Sequence, residues 1–190
     1  SIRQKNVKNI MLKNILDACG GALGYFTIGY SIAYGAGPFI GTDSAKFLLN
    51  GYSKGPEEYI DFFFQFTFAA TAATIVAGTI AERCKMVAYL CYSLFLTGFV
   101  YPVVVHVIWN GSGFLSAFAE DGDRFRGVGM IDFAGSGVVH MTGGATALIA
   151  AVILGPRIGR FYDAEGNPLD KPNDFGPHSV ALQVLGTFIL

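Results

Sequence analysis

The chain has 190 residues, 52% of them hydrophobic, 14% aromatic and 14% charged, with a formal net charge of −1. A soluble domain carries nearly twice that share of charge, and a balance so close to neutral gives no hint of a nucleic-acid partner. The 25 Gly and 17 Phe residues instead suit helices packed in lipid.

Four apolar segments follow one another, each near the ~20 residues that cross a bilayer. They cover about 15–38, 59–81, 86–109 and 131–154, and a fifth begins near Pro177. A soluble core of the same size would need amphipathic stripes, which these all-round apolar runs lack. The pattern predicts an all-α membrane protein, a polytopic transmembrane helix bundle, and the chain reads as part of a longer one.

Orientation follows from basic residues in the connections. Arg3, Lys5, Lys8, Lys13, Arg83, Lys85, Arg157, Arg160 and Lys171 fall on one side, and Lys46, Lys54, Arg124 and Arg126 on the other. This places residues 1–14 and the 155–176 loop in the cytoplasm and the loops 37–58 and 110–130 outside. Small residues spaced by four, Gly20 with Gly24 and Ala147 with Ala151 and Gly155, predict close helix packing. Cys19, Cys84 and Cys91 have neither metal nor disulfide spacing and read as small fillers within helices. Asn110-Gly-Ser112 is a formal glycosylation acceptor, but its place at a span end argues against use.

The polar residues inside the spans carry the functional signal. Asp132 opens the fourth segment, either as a helix cap or as a carboxylate whose field draws a cation to a pore mouth. On a continuous helix, His140 would lie ~12 Å below it near the bilayer midplane and ~80° around the axis. Ser136 and Gly143 would leave room beside the imidazole. An ionisable group at that depth marks an ion or proton route, the alternative being a neutral imidazole bonded to a neighbouring helix. Phe64 and Phe68 share one helix face, and Trp109 is an interfacial anchor or an aromatic at a pore mouth. His106 reads either as a pore group or as a packing group, and His178 as a contact at the start of the fifth helix.

At these positions the chain resembles the ammonium transporter (Amt/Mep/Rh) family in its eukaryotic Amt form. The resemblance rests on "DFAGSGVVHMTGGATALIAAVILGPRIGR", with "NIMLKNILDACGGALGYFTIGYSIAYG", "FFFQFTFAATAATIVAGTIAER" and "YPVVVHVIWNGSGFL" before it in family order. It implies an eleven-helix fold with an inverted repeat, of which this chain holds helices two to five and the start of six. It also implies a plasma-membrane homotrimer whose partners are ammonium or ammonia and the lipid bilayer, with no cofactor and no enzymatic chemistry. By the same resemblance Phe64 and Phe68 match stacked gate phenylalanines and Gln65 the adjacent glutamine. Trp109 matches the outer recruitment aromatic, Asp132 the aspartate near it, and His140 the first of two pore histidines. An ammonium sensor of the same fold and an Rh-type gas or solute channel are the alternatives, and Trp109 weighs against the second.

Overall fold

Residues 2–51 and 55–189 are described in the computed structural model; Lys54, counted above among the outer charges, lies outside them. The first helix, α1 (residues 7–34), runs through Val7–Gly24, a π-helical turn Tyr25–Gly29 and a last turn Tyr30–Tyr34. It stops four residues short of the expected Pro38 because Gly35 turns extended, with ψ 169°. A helix end leaves four carbonyls without helical partners, and each finds one here. Ser31 O accepts from Gly35 N and Ile32 O from Gly41 N, at 2.8 and 2.9 Å. Ala33 O accepts from Asn110 Nδ2 at 3.0 Å, and Tyr34 O from Lys46 Nζ.

Helix α2 (Pro56–Ile80) begins with a proline and two glutamates in its first turn, residues suited to unpaired amides and a positive dipole end. Beyond its other end, Lys13 of α1, fully buried, donates through Nζ to Ala81 O at 2.9 Å and Cys84 O at 3.1 Å. Cys84 thus sits in the turn after α2, with Sγ facing Lys85 O, and not within a helix as its apolar character suggests.

Helix α3 (Met86–Trp109) carries its own π-helical turn, Leu96–Val100, directly before Pro102. Proline cannot donate to the preceding turn and needs room there, which the wider turn provides. The π turns of α1 and α3 face each other at glycines. A Cβ on Gly24 would stand 2.9 Å from Leu94 O, and one on Gly29 would stand 2.6 Å from Thr97 O, so only hydrogen fits. Toward one end of this pair the Tyr89 hydroxyl donates to the buried carboxylate of Asp17.

Helix α4 (Ser136–Leu154) packs on α2, with Gly143 against Ile75 and the Ala72 carbonyl. Gly143 is therefore a helix-packing contact with α2. Of the small-residue row, Ala147 packs toward α2, whereas Gly155 has φ 72° and ends the helix. Helix α5 (Val180–Ile189) starts three residues after Pro177, where Ser179 Oγ accepts the Leu182 amide at 3.2 Å.

The core is shared by α1, α3 and α4 around Tyr25, Tyr101, Val105, Val138 and Val139, with Ala69, Ala72 and Ala73 of α2 closing it. Helices α2, α3 and α4 are each long and apolar enough to cross a membrane. Helix α1 interleaves its apolar residues with Gly, Tyr and Asp17, which lowers its hydropathy. The described residues contain no strand beyond the isolated bridges Ser116–Met130 and Tyr162–Pro168. The architecture is an all-helical membrane bundle.

The two sets of connections meet at opposite ends. At one end Glu82, its side chain 2% exposed, accepts from Arg3 Nε at 3.0 Å, Asn6 Nδ2 at 2.6 Å and Arg157 Nη1 at 2.9 Å. Burial pushes the Glu82 carboxyl up, but the bonds from Asn6, Arg157 and Arg3 outweigh it and hold the pKa at about 2. There the Arg3 guanidinium lies 3.9 Å from the Phe175 ring centroid, and His178 N donates to Ile2 O. At the opposite end Phe39 packs on Phe114 at 4.9 Å, and Phe114 N donates to Pro38 O.

Candidate functional site

The end that holds residues 35–43 and 110–135 contains a cavity of about 290 Å³ whose walls are almost wholly aromatic. Tyr34 comes from the last turn of α1, Phe64, Gln65 and Phe68 from α2, and Trp109 from the last residue of α3; Phe118 and Phe133 from the connection between α3 and α4 complete it. Phe64 and Phe68 lie one turn apart, and their rings meet edge to face, with centroids 4.9 Å apart at 89°. The Phe68 ring in turn meets Trp109 at 5.7 Å and 72°. An edge-to-face contact covers one ring face with the partner's edge and leaves the other faces free, and a free ring face is the electron-rich surface a cation seeks.

One polar atom in this wall stands apart. Gln65 Oε1 is buried and has no hydrogen-bond partner among the described residues. A buried amide oxygen without a donor is costly, and Gln65 is the one amide side chain among the residues that line this cavity.

Asp132 does not line the cavity. It is 9% exposed, and its carboxylate is consumed by the start of α4. Oδ1 accepts from Gly135 N and Ser136 Oγ, both at 3.1 Å, and Oδ2 from Gly137 N at 3.0 Å and Val138 N at 2.7 Å. Residues 131–135 are therefore not helical, as the apolar run had suggested, and Gly135 takes a left-handed φ of 84° to let the chain turn into α4. Of the two roles open to Asp132, the geometry shows the cap. Its main chain reaches the cavity indirectly, because Trp109 Nε1 donates to Asp132 O at 2.6 Å.

His140 follows the same correction. The eight helical steps from Asp132 do not exist, so the ~12 Å depth and ~80° angle do not apply. The imidazole sits four residues into α4, ~6 Å along it, exposed on the bundle surface, with Nδ1 3.3 Å from Gly135 O. It lies outside the aromatic cavity.

Two residues left ambiguous by the sequence take defined places. His106 is fully buried, with Nδ1 3.0 Å from Ala33 O and Nε2 against Gly37 O. Asn110 Nδ2 donates to Ala33 O and Gly35 O, each at 3.0 Å, while its Oδ1 accepts from Ser112 N at 2.8 Å. The side chain of the formal glycosylation acceptor is thus occupied within the fold. Sequence reasoning missed Tyr34, Phe118 and Phe133 as cavity walls. The signal for Tyr34 was its place at the end of α1, at the same end of the bundle as Trp109 at the end of α3.

The comparisons with known proteins agree with this architecture. The profile of the Ammonium Transporter Family matches residues 1–190. Ammonium transporter 1 member 2 of Arabidopsis thaliana is 49% identical over 193 residues, covering 100% of this chain and 37% of that protein. Ammonium transporter 1 member 3 of Solanum lycopersicum is 45% identical, covering 100% of this chain and 40% of its own length. Among solved structures, a Sensor Amt Protein superposes with a TM-score of 0.79 at 36% identity, over 99% of this chain and 45% of that one. Candida albicans Mep2 superposes with a TM-score of 0.69 at 27% identity, over 93% of this chain and 37% of its own. The chain spans well under half the length of these relatives. With its helices in the order of these structures and the family profile matching from end to end, the chain belongs to the ammonium transporter family, whose members are transporters and not enzymes.

Proposed function

We propose that the intact protein moves ammonium across a membrane, with the aromatic cavity as its recruitment site. The observation that carries this reading is Gln65 Oε1, a buried acceptor without a protein donor in a wall of π faces. Potassium and ammonium are nearly the same size and gain alike from ring faces. Only ammonium donates hydrogen bonds, so the amide oxygen separates them.

The helix ends contribute to the same field. The end of α1 at Tyr34 is already met by the Lys46 ammonium, whereas Trp109 is the last residue of α3, and a helix C-terminus carries a partial negative charge that favours a cation. The N-terminus of α4 would oppose it, and the Asp132 carboxylate neutralises that end. Asp132 in this reading acts by removing a positive field and by holding Trp109, without ligating the ion.

Beyond the cavity, an apolar passage opposes an intact charge. The cation then gives up a proton, ammonia passes Phe64 and Phe68, and the proton is relayed separately by way of His140 to rejoin ammonia on the far side. A plasma-membrane location, a homotrimer and a cytoplasmic side at the Glu82 end belong to the same proposal.

The test is ammonium-evoked current and labelled methylammonium uptake by the intact protein in cells without their own ammonium transporters. Uptake in wild type, lost in His140→Ala at equal surface abundance, is the expected result. Well-expressed wild type that neither conducts nor takes up methylammonium would overturn transport. It would leave the sensor reading, which the fold likeness to a Sensor Amt Protein supports.

A further inference from the structure

Two of the cavity walls stand at helix ends: Tyr34 at the end of α1 and Trp109 at the end of α3. What ties these helix ends together is polar and buried. His106 and Asn110, four residues apart on one face of α3 and its cap, flank Trp109 in sequence. Both reach across to main-chain oxygens around Tyr34. His106 meets the carbonyls of Ala33 and Gly37, and Asn110 Nδ2 donates to those of Ala33 and Gly35. The Ser112 amide, by donating to Asn110 Oδ1, fixes which side of the side-chain amide faces α1. Asn110 thus holds the carbonyls of residues 33 and 35, on either side of Tyr34, and His106 adds contacts at those of Ala33 and Gly37.

We propose that His106 and Asn110 are positioning residues of the cation cavity. They hold Tyr34 as a wall opposite Trp109 and so set the affinity for ammonium. The inference rests on the recruitment reading above and deepens it. Loss of the clasp lets the end of α1 drift and opens the cavity, which weakens capture of the cation before it affects any later step.

The experiment measures concentration dependence of methylammonium uptake in the intact protein, corrected for surface abundance. Asn110→Ala and Tyr34→Leu are each expected to raise KM about tenfold with the maximal rate within about twofold. His106→Gln, which keeps an N–H for a carbonyl, is expected to stay within about threefold of the wild-type KM. Tyr34→Leu leaves every clasp atom in place, so it tests the cavity wall even where Asn110→Ala fails to fold. Unchanged KM in both Asn110→Ala and Tyr34→Leu overturns the proposal, as does a fall in maximal rate alone. Thermal stability of the purified intact protein in ammonium chloride against sodium chloride is read in parallel. Stabilisation by ammonium that both Asn110→Ala and Tyr34→Leu remove, with silent uptake, supports the clasp and sinks transport. Normal uptake with ammonium stabilisation equal in wild type, Asn110→Ala and Tyr34→Leu sinks the clasp and leaves transport standing.

Discussion

Asp132 holds Trp109 through its main chain while its side chain is turned the other way, into the first amides of α4. One residue thus couples the start of one helix to the last side chain of another. The two functions separate by substitution. Asp132→Asn keeps the carbonyl that accepts from the indole but removes the charge facing the α4 amides. It is expected to cost about 1 kcal/mol of stability, in the range of lost helix caps, and to raise KM for methylammonium. Asp132→Ala removes the cap outright and is expected to cost up to about 2 kcal/mol. Thermal melts in detergent together with uptake assays check both.

Gly29 tests the crossing of α1 and α3. An added methyl would stand 2.6 Å from Thr97 O, a backbone atom that cannot swing away. Gly29→Ala is expected to destabilise by about 1–3 kcal/mol, the usual cost of overpacking. The lowered melting temperature should be shared by Gly24→Ala, whose added methyl would meet Leu94 O.

Lys13 is a buried ammonium whose partners are carbonyls at the end of α2. Lys13→Met fills the space but strands Ala81 O and Cys84 O. A loss of about 1–3 kcal/mol is expected, the desolvation cost of unpaired buried groups. The measurement is the melting temperature of Lys13→Met against a surface control such as Lys171→Met.

Glu82 predicts an acid dependence. Its folded pKa of about 2 lies below its ordinary 4.5, so the charged form is favoured by folding. Its contribution is therefore complete above about pH 4.5 and is lost as pH falls toward 2. Wild type should lose melting temperature across that window more steeply than Glu82→Gln, which has nothing left to protonate. Equal slopes in the two proteins would show that Glu82 is not the group involved.

The long apolar runs made α2, α3 and α4 legible, because hydropathy over ~20 residues is a property of composition. The start of α4 was not legible. Phe133 and Ala134 continue the apolar pattern, while the break is made by the φ of Gly135 and by where the Asp132 carboxylate folds, which no hydropathy sum contains. Phe64, Gln65, Phe68 and Trp109 could be named from motif resemblance, and the structure gathers them around one cavity. Tyr34 was not named, since no motif marks it and the contact beside it, Asn110 with Gly35 O, joins residues 75 apart in the chain. The helix geometry assigned to Asp132 and His140 failed for the same reason that α4 starts late.

The Glu82 knot also orders events during synthesis. Arg3 and Asn6 precede Glu82 in the chain, so both are available as soon as α2 has been made. Arg157 follows 75 residues later. At the usual 5–20 residues per second it leaves the ribosome ~4–15 s after Glu82 does. For that interval the growing chain holds α1 and α2 together at this end with one guanidinium instead of two. Arrival of the second, carried by the segment after α4, latches the nascent hairpin to the helix that follows.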